Sequence, residues 1–551
     1  MTRRKTVQPA PPSPHPRPDR AAAAIEINPQ FRRALDLLEG SGRHVFITGR
    51  AGTGKSTLLE HFRDTTRKQI AVLAPTGVAA LNVRGQTIHS FCRFKPGVTL
   101  DAVRKLRPAA SGRSRGGGRT DSDADLYKKF ETVIIDEISM VRADLLDCVE
   151  KFLRFNGPEP GKIFGGRQMV FIGDLYQLPP VVVSGERGLF SGPYETPYFF
   201  SARVFRDARF AMEFVELEKV YRQSEEEFIG LLNAIRNRTA TDADLARINE
   251  NCDPGFVPPD DEFFITLTST NDLASSRNRE RLDRLPGKAR RYEGFLLGEF
   301  ERSSLPTDER LELKPGAQVM LLTNDPEGRW VNGTIGRVTE IVREKGADDI
   351  VSVELQSGLR VDVRPHTWEI FRFALDEETG GIVSEPVGSF TQYPLRLAWA
   401  VTIHKSQGKT FDRVVIDFGR GTFAHGQAYV ALSRCTNFRG LVLKKPLRRG
   451  HIRLDYNIVR FLTRFQYQKA EERLSYARKL ELIREAISEG RDLEILYLKP
   501  DDTKTRRRIR PETVKMMEFR GKTFEGLSAY CHEREDTRHF RIDRMLEVKV
   551  L

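Results

Sequence analysis

The sequence predicts an α/β protein with two parallel sheets flanked by helices, a β-rich insertion, and a second β-rich module at its C-terminal end. Three observations predict it. Short apolar runs at 44–48, 70–74, 132–135 and 169–172 are each followed by a turn or a helix-like segment, the alternation that builds parallel sheets. The same alternation resumes in 206–310 and again from 397 to 443. Between 311 and 393 the pattern changes to short strands at 317–323, 336–341 and 350–355, separated by Gly and Pro as in a small barrel.

Residues 1–24 are rich in Pro, Arg and Ala, and prolines at 9, 11, 12, 14, 16 and 18 forbid an amphipathic helix, so a disordered basic tail is expected. Helical periodicity over 25–38 opens a first domain, 25–205. Within it the pattern breaks over 94–128, and 111–120 is dominated by Gly, Ser and Arg, a flexible basic insertion. A second domain is assigned to 206–310 and 394–455. Its helix over 225–236 carries Phe228, Leu231, Leu232 and Ile235 on one face, a strand over 263–268 follows, and the barrel at 311–393 divides it. Residues 456–488 read as one linking helix, with Ile458, Phe461, Leu462 and Phe465 in helical spacing, before a basic β-rich module at 489–551.

The net charge is +13, which favours a polyanionic partner. The five cysteines are scattered, with no Cys-x-x-Cys pair. That argues against a disulfide framework or a zinc site and suits a reducing, cytoplasmic compartment. No apolar run approaches the roughly 20 residues needed to span a membrane.

Gly49-Arg50-Ala51-Gly52-Thr53-Gly54-Lys55-Ser56, followed by Thr57, fits G-x-x-x-x-G-K-[ST] between a strand and a helix. Glycines let the backbone curl so that several N–H groups point at phosphate oxygens, and the helix N-terminus adds partial positive charge. Lys55 is placed on the β/γ-phosphates and the Ser56 hydroxyl on magnesium. Val133-Ile134-Ile135-Asp136-Glu137 ends an apolar strand in two carboxylates: Asp136 suits the magnesium shell, and Glu137 suits polarising the attacking water. Gln177, in Gly173-Asp174-Leu175-Tyr176-Gln177-Leu178-Pro179-Pro180, follows another apolar strand and is placed at the γ-phosphate. Arg222 and Arg434 are candidates to stabilise the transferred phosphoryl group from a neighbouring domain. The chemistry implied is hydrolysis of ATP with Mg²⁺.

The ordered set AGTGKST, APTGVAALNVRGQTIHSF, IIDEISM, GDLYQLPP, VYRQ, AVTIHKSQGKTFD and AYVALSR resembles the petite-integration-frequency (Pif) helicases, in the 5′→3′ branch of superfamily 1 and related to RecD. The resemblance spans about 25–443. It implies two RecA-like domains, a wedge insertion at 94–128, and an SH3-like barrel insertion at 311–393. It further implies that Gln30 reads the adenine edge, and that Gln407 and Gly408 link DNA contact to the nucleotide. Pro75, Thr76, His89, Thr268, Asn271, Thr402, His404 and Lys405 would then line a path for single-stranded DNA. The C-terminal module resembles a WYL domain, with Glu525-Gly526-Leu527 standing at the eponymous tripeptide. The expected activity is translocation on single strands with unwinding of duplex junctions, and G-quadruplex DNA among the structured substrates, by a monomer. The residues are also compatible with a translocase that strips proteins with little unwinding, and with a WYL-type nucleic-acid-binding regulator whose ATPase is a switch. Arg506, Arg507, Arg508, Arg510, Arg534, Arg538, Arg541 and Arg544 suggest a second anion-binding surface in the module, separable from an ATPase whose motifs all lie upstream.

Overall fold

The computed structural model describes residues 26–106, 123–182, 190, 192–223, 225–344, 346–375, 382–419, 421–422, 424–519 and 521–551. The basic tail at 1–24 and the Gly/Ser/Arg run at 111–120 lie outside the described residues.

The first sheet is parallel throughout. Its strands are β1 (His44–Gly49), β2 (Ile70–Ala74), β3 (Gln86–Thr87), β4 (Thr132–Ile135), β5 (Gln168–Ile172) and β6 (Met212–Leu217), in spatial order β3-β2-β4-β5-β1-β6. β1 lies inside the sheet next to its edge strand and is buried, pairing Ile47 with Ile172 on one side and with Val215 on the other. Helix α1 (Pro29–Gly40) starts where the Asn28 side chain accepts from Phe31 N, and it buries Phe31, Ala34 and Leu38 beside Val45 and Ile47. β6 corrects the sequence-derived boundary at 206. Its Met212, Phe214, Val215 and Leu217 are buried against this sheet, so the first domain runs on to Leu217.

The second sheet is also parallel, in the order Ala400–Thr402, Ile265–Thr268, Val414–Asp417, Leu441–Leu443. Helix Glu226–Arg236 buries Phe228, Leu231, Leu232 and Ile235. The β insertion is larger than its sequence pattern suggests, because strand structure begins at Arg290–Glu293 rather than near 311. Strands Arg360–Val363, Ile350–Leu355, Ile335–Val342, Gln318–Leu321 and Leu395–Leu397 make a five-stranded sheet around Val319, Val338, Val353 and Tyr393. A long hairpin, His366–Leu375 with Ile382–Gln392, joins Phe295–Gly298 in a separate sheet. Phe373 of this hairpin packs edge-on against Phe91 and Phe130 of the first domain, at ring-centroid distances of 6.3 and 5.0 Å.

The linking helix is two helices, Tyr456–Arg473 and Tyr476–Ser488. Leu474 leaves helical geometry and the Ser475 side chain caps the second helix by accepting from Arg478 N. The two helices serve different cores. Ile483 and Ala486 of the second pack on the C-terminal five-stranded sheet with Ile495, Leu527 and Phe540, so that module begins near 476 rather than 489. Ile458, Val459 and Leu462 of the first belong to the motor core. Phe461 stacks on Phe200 at 4.4 Å and meets Phe46 of β1 at 6.2 Å. No helix among the described residues is long and apolar enough to cross a membrane.

Helix Tyr456–Arg473 therefore completes the first domain's core. Phe461→Ala should destabilise the chain by about 3 kcal/mol, measured as a shift in urea midpoint. A loss below about 1 kcal/mol would show the helix to be an appendage.

Candidate nucleotide site and nucleic-acid path

Strand order sorts the candidate residues by task. Apart from Gln30 in α1, those of the first domain follow the carboxyl ends of parallel strands, where an open α/β sheet offers its crevice. The phosphate loop leaves β1, Asp174 and Gln177 follow β5, Asp136 and Glu137 follow β4, and Pro75, Thr76 and His89 follow β2 and β3 at the far edge. Phosphate binding and the nucleic-acid candidates are thus separated by the two strands that carry the acids.

The loop at 49–54 bends through left-handed conformations at Gly52 (φ +80°) and Gly54 (φ +85°). Gly52 is also tied by packing: a Cβ there would lie 2.4 Å from Arg222 Cβ, and Gly52 O accepts from Tyr221 N at 2.8 Å. Helix α2 (Lys55–Thr65) starts immediately, directing its first N–H groups at the loop. Lys55 Nζ donates to Gly49 O at 2.8 Å and Arg50 O at 3.0 Å. Burial lowers its pKa, while Asp174 and Glu137 oppose that shift.

Across the loop opens a cavity of about 560 Å³, lined among others by Ala51, Gly52, Thr53, Gly54, Lys55, Ser56 and Thr57 from the loop and helix. Glu137, Gln177, Arg222, Gly408 and Arg434 add to the lining. The size suits a nucleotide. Glu137 takes a left-handed backbone (φ +50°), uncommon for a residue with a side chain and a feature that gathers at functional sites. Burial raises the carboxyl pKa of both Asp136 and Glu137, and at Glu137 the neighbouring Asp136 adds to it. Gln407 joins the halves: its Nε2 donates to Glu137 Oε2 at 2.9 Å and to Gln177 Oε1 at 3.2 Å.

The arginines differ in origin. Arg434, 1% exposed, belongs to the second domain and is held by the carbonyls of Val430, Ser406 and Lys409. Arg222 comes instead from the crossover that leaves β6, a correction to its assignment within the second domain; its Nη2 donates to Gly408 O at 3.3 Å. Its Nη1 is buried and has no hydrogen-bond partner among the described residues. Burial and the nearby Arg222 lower the Arg434 pKa, so an anion between the two guanidiniums would relieve both. The sequence did not single out Tyr429 or Gln223. Tyr429 Oη accepts from Ala51 N at 2.9 Å across the domain boundary, and Gln223 Nε2 donates to Ser433 O and Cys435 O at 3.1 Å. Gln30 stands beside the cavity with its amide on Glu218 Oε2 at 3.3 Å, whereas Glu26, Phe31 and Tyr221 form the lining there.

For a cation the protein offers few ligands. Among the described residues no group of three or more His, Cys, Asp or Glu side chains could hold a metal alone. The Ser56 hydroxyl and Asp136 carboxylate would supply two oxygens, which fits a magnesium ion whose other ligands are nucleotide phosphates and water.

The nucleic-acid candidates separate into exposed and buried. Thr76 is exposed and caps a short helix by accepting from Ala79 N; Asn271 and Lys405 are exposed, and Pro75, His89 and His404 are half-buried. Burial lowers the pKa of both histidines. Thr268 and Thr402 sit opposite each other on neighbouring strands and are 1% and 4% exposed. The Thr268 hydroxyl donates to Thr270 O and Thr402 Oγ1 accepts from Lys405 N, so both brace the turns from behind, a correction to their placement on the path. Exposed Thr270 and Asn271 stand in front of Thr268. The insertion reaches the same edge: Asn332 Nδ2 donates to Asn82 Oδ1 at 3.2 Å, and Ser304 lies against Gly77.

The arginine run of the C-terminal module is largely paired within the module. Arg506 bonds Glu494 and Glu547, Arg508 and Arg510 share Asp492, and Arg541 bonds Asp543.

A family model described as PIF1-like helicase matches residues 30–244, a WYL domain model matches 478–550, and a further helicase model matches 385–463. The chain is 34% identical to the ATP-dependent DNA helicase Pif1 of Bdellovibrio bacteriovorus over 427 residues, 76% of this chain and 88% of that one. It is 34% identical to the ATP-dependent DNA helicase PIF1 of Xenopus laevis over 445 residues, 79% of this chain and 63% of the frog protein, less than two thirds of that relative's length. The structure of Bacteroides sp Pif1 in complex with ADP-AlF4 matches with a TM-score of 0.70 at 35% identity, covering 81% of this chain and 98% of that one. That of Bacteroides Pif1 bound to ssDNA matches with a TM-score of 0.56 at 36% identity, covering 79% and 96%.

With Glu137 assigned to water and Lys55 to phosphate, their loss should differ in kind. Lys55→Ala should abolish ATP hydrolysis. Glu137→Gln should bind nucleotide within about twofold of the parent yet turn over about 10²–10⁴-fold more slowly. Phosphate release and a fluorescent-nucleotide titration check both; near-parent turnover by Glu137→Gln would show the carboxylate misassigned.

Proposed function

The chain belongs to the PIF1-like helicase family, and from that membership we propose that it couples ATP hydrolysis to 5′→3′ movement on single-stranded DNA and opens duplexes at junctions. The observation that carries the proposal is the Gln407 bridge. It joins the hydrolytic pair Glu137 and Gln177 to the turn at 402–408 that presents His404 and Lys405.

Hydrolysis follows from the geometry. Backbone N–H groups of the loop, the α2 N-terminus and Lys55 hold the phosphates. Glu137 takes a proton from the attacking water, and Gln177 registers the γ-phosphate. Arg222 and Arg434 meet the charge that develops on the transferred group. A magnesium ion held by Ser56 and Asp136 would neutralise phosphate charge. Once phosphate leaves, the two guanidiniums and the Gln407 bridge lose their common anion, and the cleft between the sheets is free to open. Strand contacts on both domains convert that opening into a step.

Threonine hydroxyls, backbone amides and neutral imidazole faces hold phosphates and bases without selecting sequence. Duplex junctions and folded G-rich strands therefore both fall within the proposed substrates. The insertion, touching the first domain at Asn82 and Gly77, would cover the strand between the two domains. Both arginines come from the chain that carries the phosphate loop, which supports a monomeric working unit. Bacteroides Pif1 has been solved bound to ssDNA, and a further similar structure addresses DNA unwinding at forked dsDNA by two coordinating Pif1 helicases.

Strand displacement tests the proposal: a duplex with a 5′ tail should open with ATP, and one with a 3′ tail should not. Opening of neither, with DNA-stimulated ATPase intact, would favour a translocase that does not unwind. Replacing Arg222 or Arg434 by alanine should cut DNA-stimulated turnover by about 10³-fold or more, with a far smaller effect on nucleotide affinity. Equal losses in both would reduce the arginines to binding contacts.

A further inference from the structure

One buried acid has no part in the chemistry above. Asp502 belongs to the C-terminal module, in the turn between strands Leu493–Leu498 and Lys504–Phe519, with a left-handed backbone (φ +61°). Although 8% exposed, it lies against the motor rather than in the module's own apolar core. Its Oδ2 accepts from the Tyr176 hydroxyl at 2.8 Å and its Oδ1 from Gln466 Nε2 at 2.8 Å. Tyr176 directly precedes Gln177. The Tyr176 ring lies under the Arg236 guanidinium, 3.8 Å from the ring centroid. Arg236 ends helix Glu226–Arg236 of the second domain and is itself 5% exposed. It pairs with Asp174 at 3.4 Å, and Asp174 Oδ2 accepts from Gln177 Nε2 at 3.3 Å. The contacts therefore run without a break from the module, through both motor domains, to the side chain at the γ-phosphate.

We propose that Asp502 is a positioning residue for ATP hydrolysis, fixing Tyr176 and, through Arg236 and Asp174, the orientation of Gln177. This rests on the assignment of Gln177 to the γ-phosphate. The electrostatics give the mechanism. Arg236 is buried within the fields of two carboxylates, Asp174 and Asp502, each of which favours its charged form. Without Asp502, Arg236 is drawn onto Asp174 alone and competes with the Gln177 amide for that carboxylate. Burial pushes the Asp502 carboxyl up to about 6, so holding the group there costs free energy that mere attachment of the module does not require. Attachment has its own contact nearby, where Lys504 Nζ meets Glu216 at 2.6 Å and Glu218 at 3.2 Å on the first domain. The C-terminal module is thereby a working part of the ATPase, contrary to the separability its sequence position suggests.

The test uses the full chain and steady-state ATPase with saturating single-stranded DNA, alongside thermal melting. Asp502→Ala and Tyr176→Phe should each lower kcat by about tenfold, the rate equivalent of one buried hydrogen bond, with KM for ATP little changed. The double variant should be no slower than the slower single, because both remove one contact. Lys504→Ala, which loosens the same turn without touching Tyr176, should keep parent kcat. The proposal is overturned if Asp502→Ala retains parent kcat, if the two effects multiply, or if Lys504→Ala lowers kcat as much as Asp502→Ala. Gln177→Ala separates this from the underlying assignment. Full turnover by that variant would overturn the role of Gln177, whereas loss of turnover there with Asp502→Ala unaffected would overturn the Asp502 link alone.

Discussion

One side-chain amide of the second domain bridges two of the first domain's catalytic candidates. Gln407 Nε2 reaches Glu137 Oε2 at 2.9 Å and Gln177 Oε1 at 3.2 Å, and no other side chain of the second domain hydrogen-bonds either group among the described residues. Its own backbone sits in the turn that carries His404 and Lys405. The groups proposed for water activation and γ-phosphate contact therefore share one donor, which sits on the outer turn of the second domain. Around it, burial raises the carboxyl groups of Asp136 and Glu137 and lowers Lys55, Arg222 and Arg434. Each of these groups is short of solvation alone, and phosphate with its cation satisfies both sets at once. The constraint is mutual: the acids follow strands of the first sheet and Arg434 belongs to the second domain, so the site exists only where the two domains meet.

The parts of this arrangement that depend on local chain geometry were legible in the sequence. The loop at 49–54 needs glycine where φ is positive, and Ile135-Asp136-Glu137 needs an apolar strand that stops at the crevice. Both requirements leave residue patterns. Parts that depend on tertiary contact did not. Met212–Leu217 is a largely apolar strand whose partner lies 168 residues earlier at His44–Gly49, and nothing local tells which sheet it joins. Thr268 and Thr402 have the right chemistry and position for strand contact, yet the following turns cover them. The strands at 366–375 and 382–392 fall within the stretch read as barrel, yet they form a separate sheet whose Phe373 is matched by Phe91 and Phe130 far upstream. Tyr429 and Gln223 look like ordinary interior residues until the partner carbonyls and amide are in view.

The C-terminal region shows the same limit in reverse. Its composition is conspicuous, but most of the arginine run is neutralised by Asp492, Glu494, Glu547 and Asp543, so the density of cations overstates the free charge. The side chains that bind it to the motor, Asp502 and Lys504, are unremarkable in sequence and acquire meaning only beside Tyr176 and Glu216. The broken helix at 456–488 divides accordingly, its first half in the motor core and its second half in the module.

Coupling of strand contact to the hydrolytic groups runs, in the proposed cycle, through Gln407. It is tested most directly by measuring ATP turnover of Gln407→Ala with and without single-stranded DNA, with nucleotide affinity measured in parallel. Nucleotide should still bind, and the rate with DNA should fall to the DNA-free rate. Undiminished stimulation by DNA in a variant that binds nucleotide normally would contradict it.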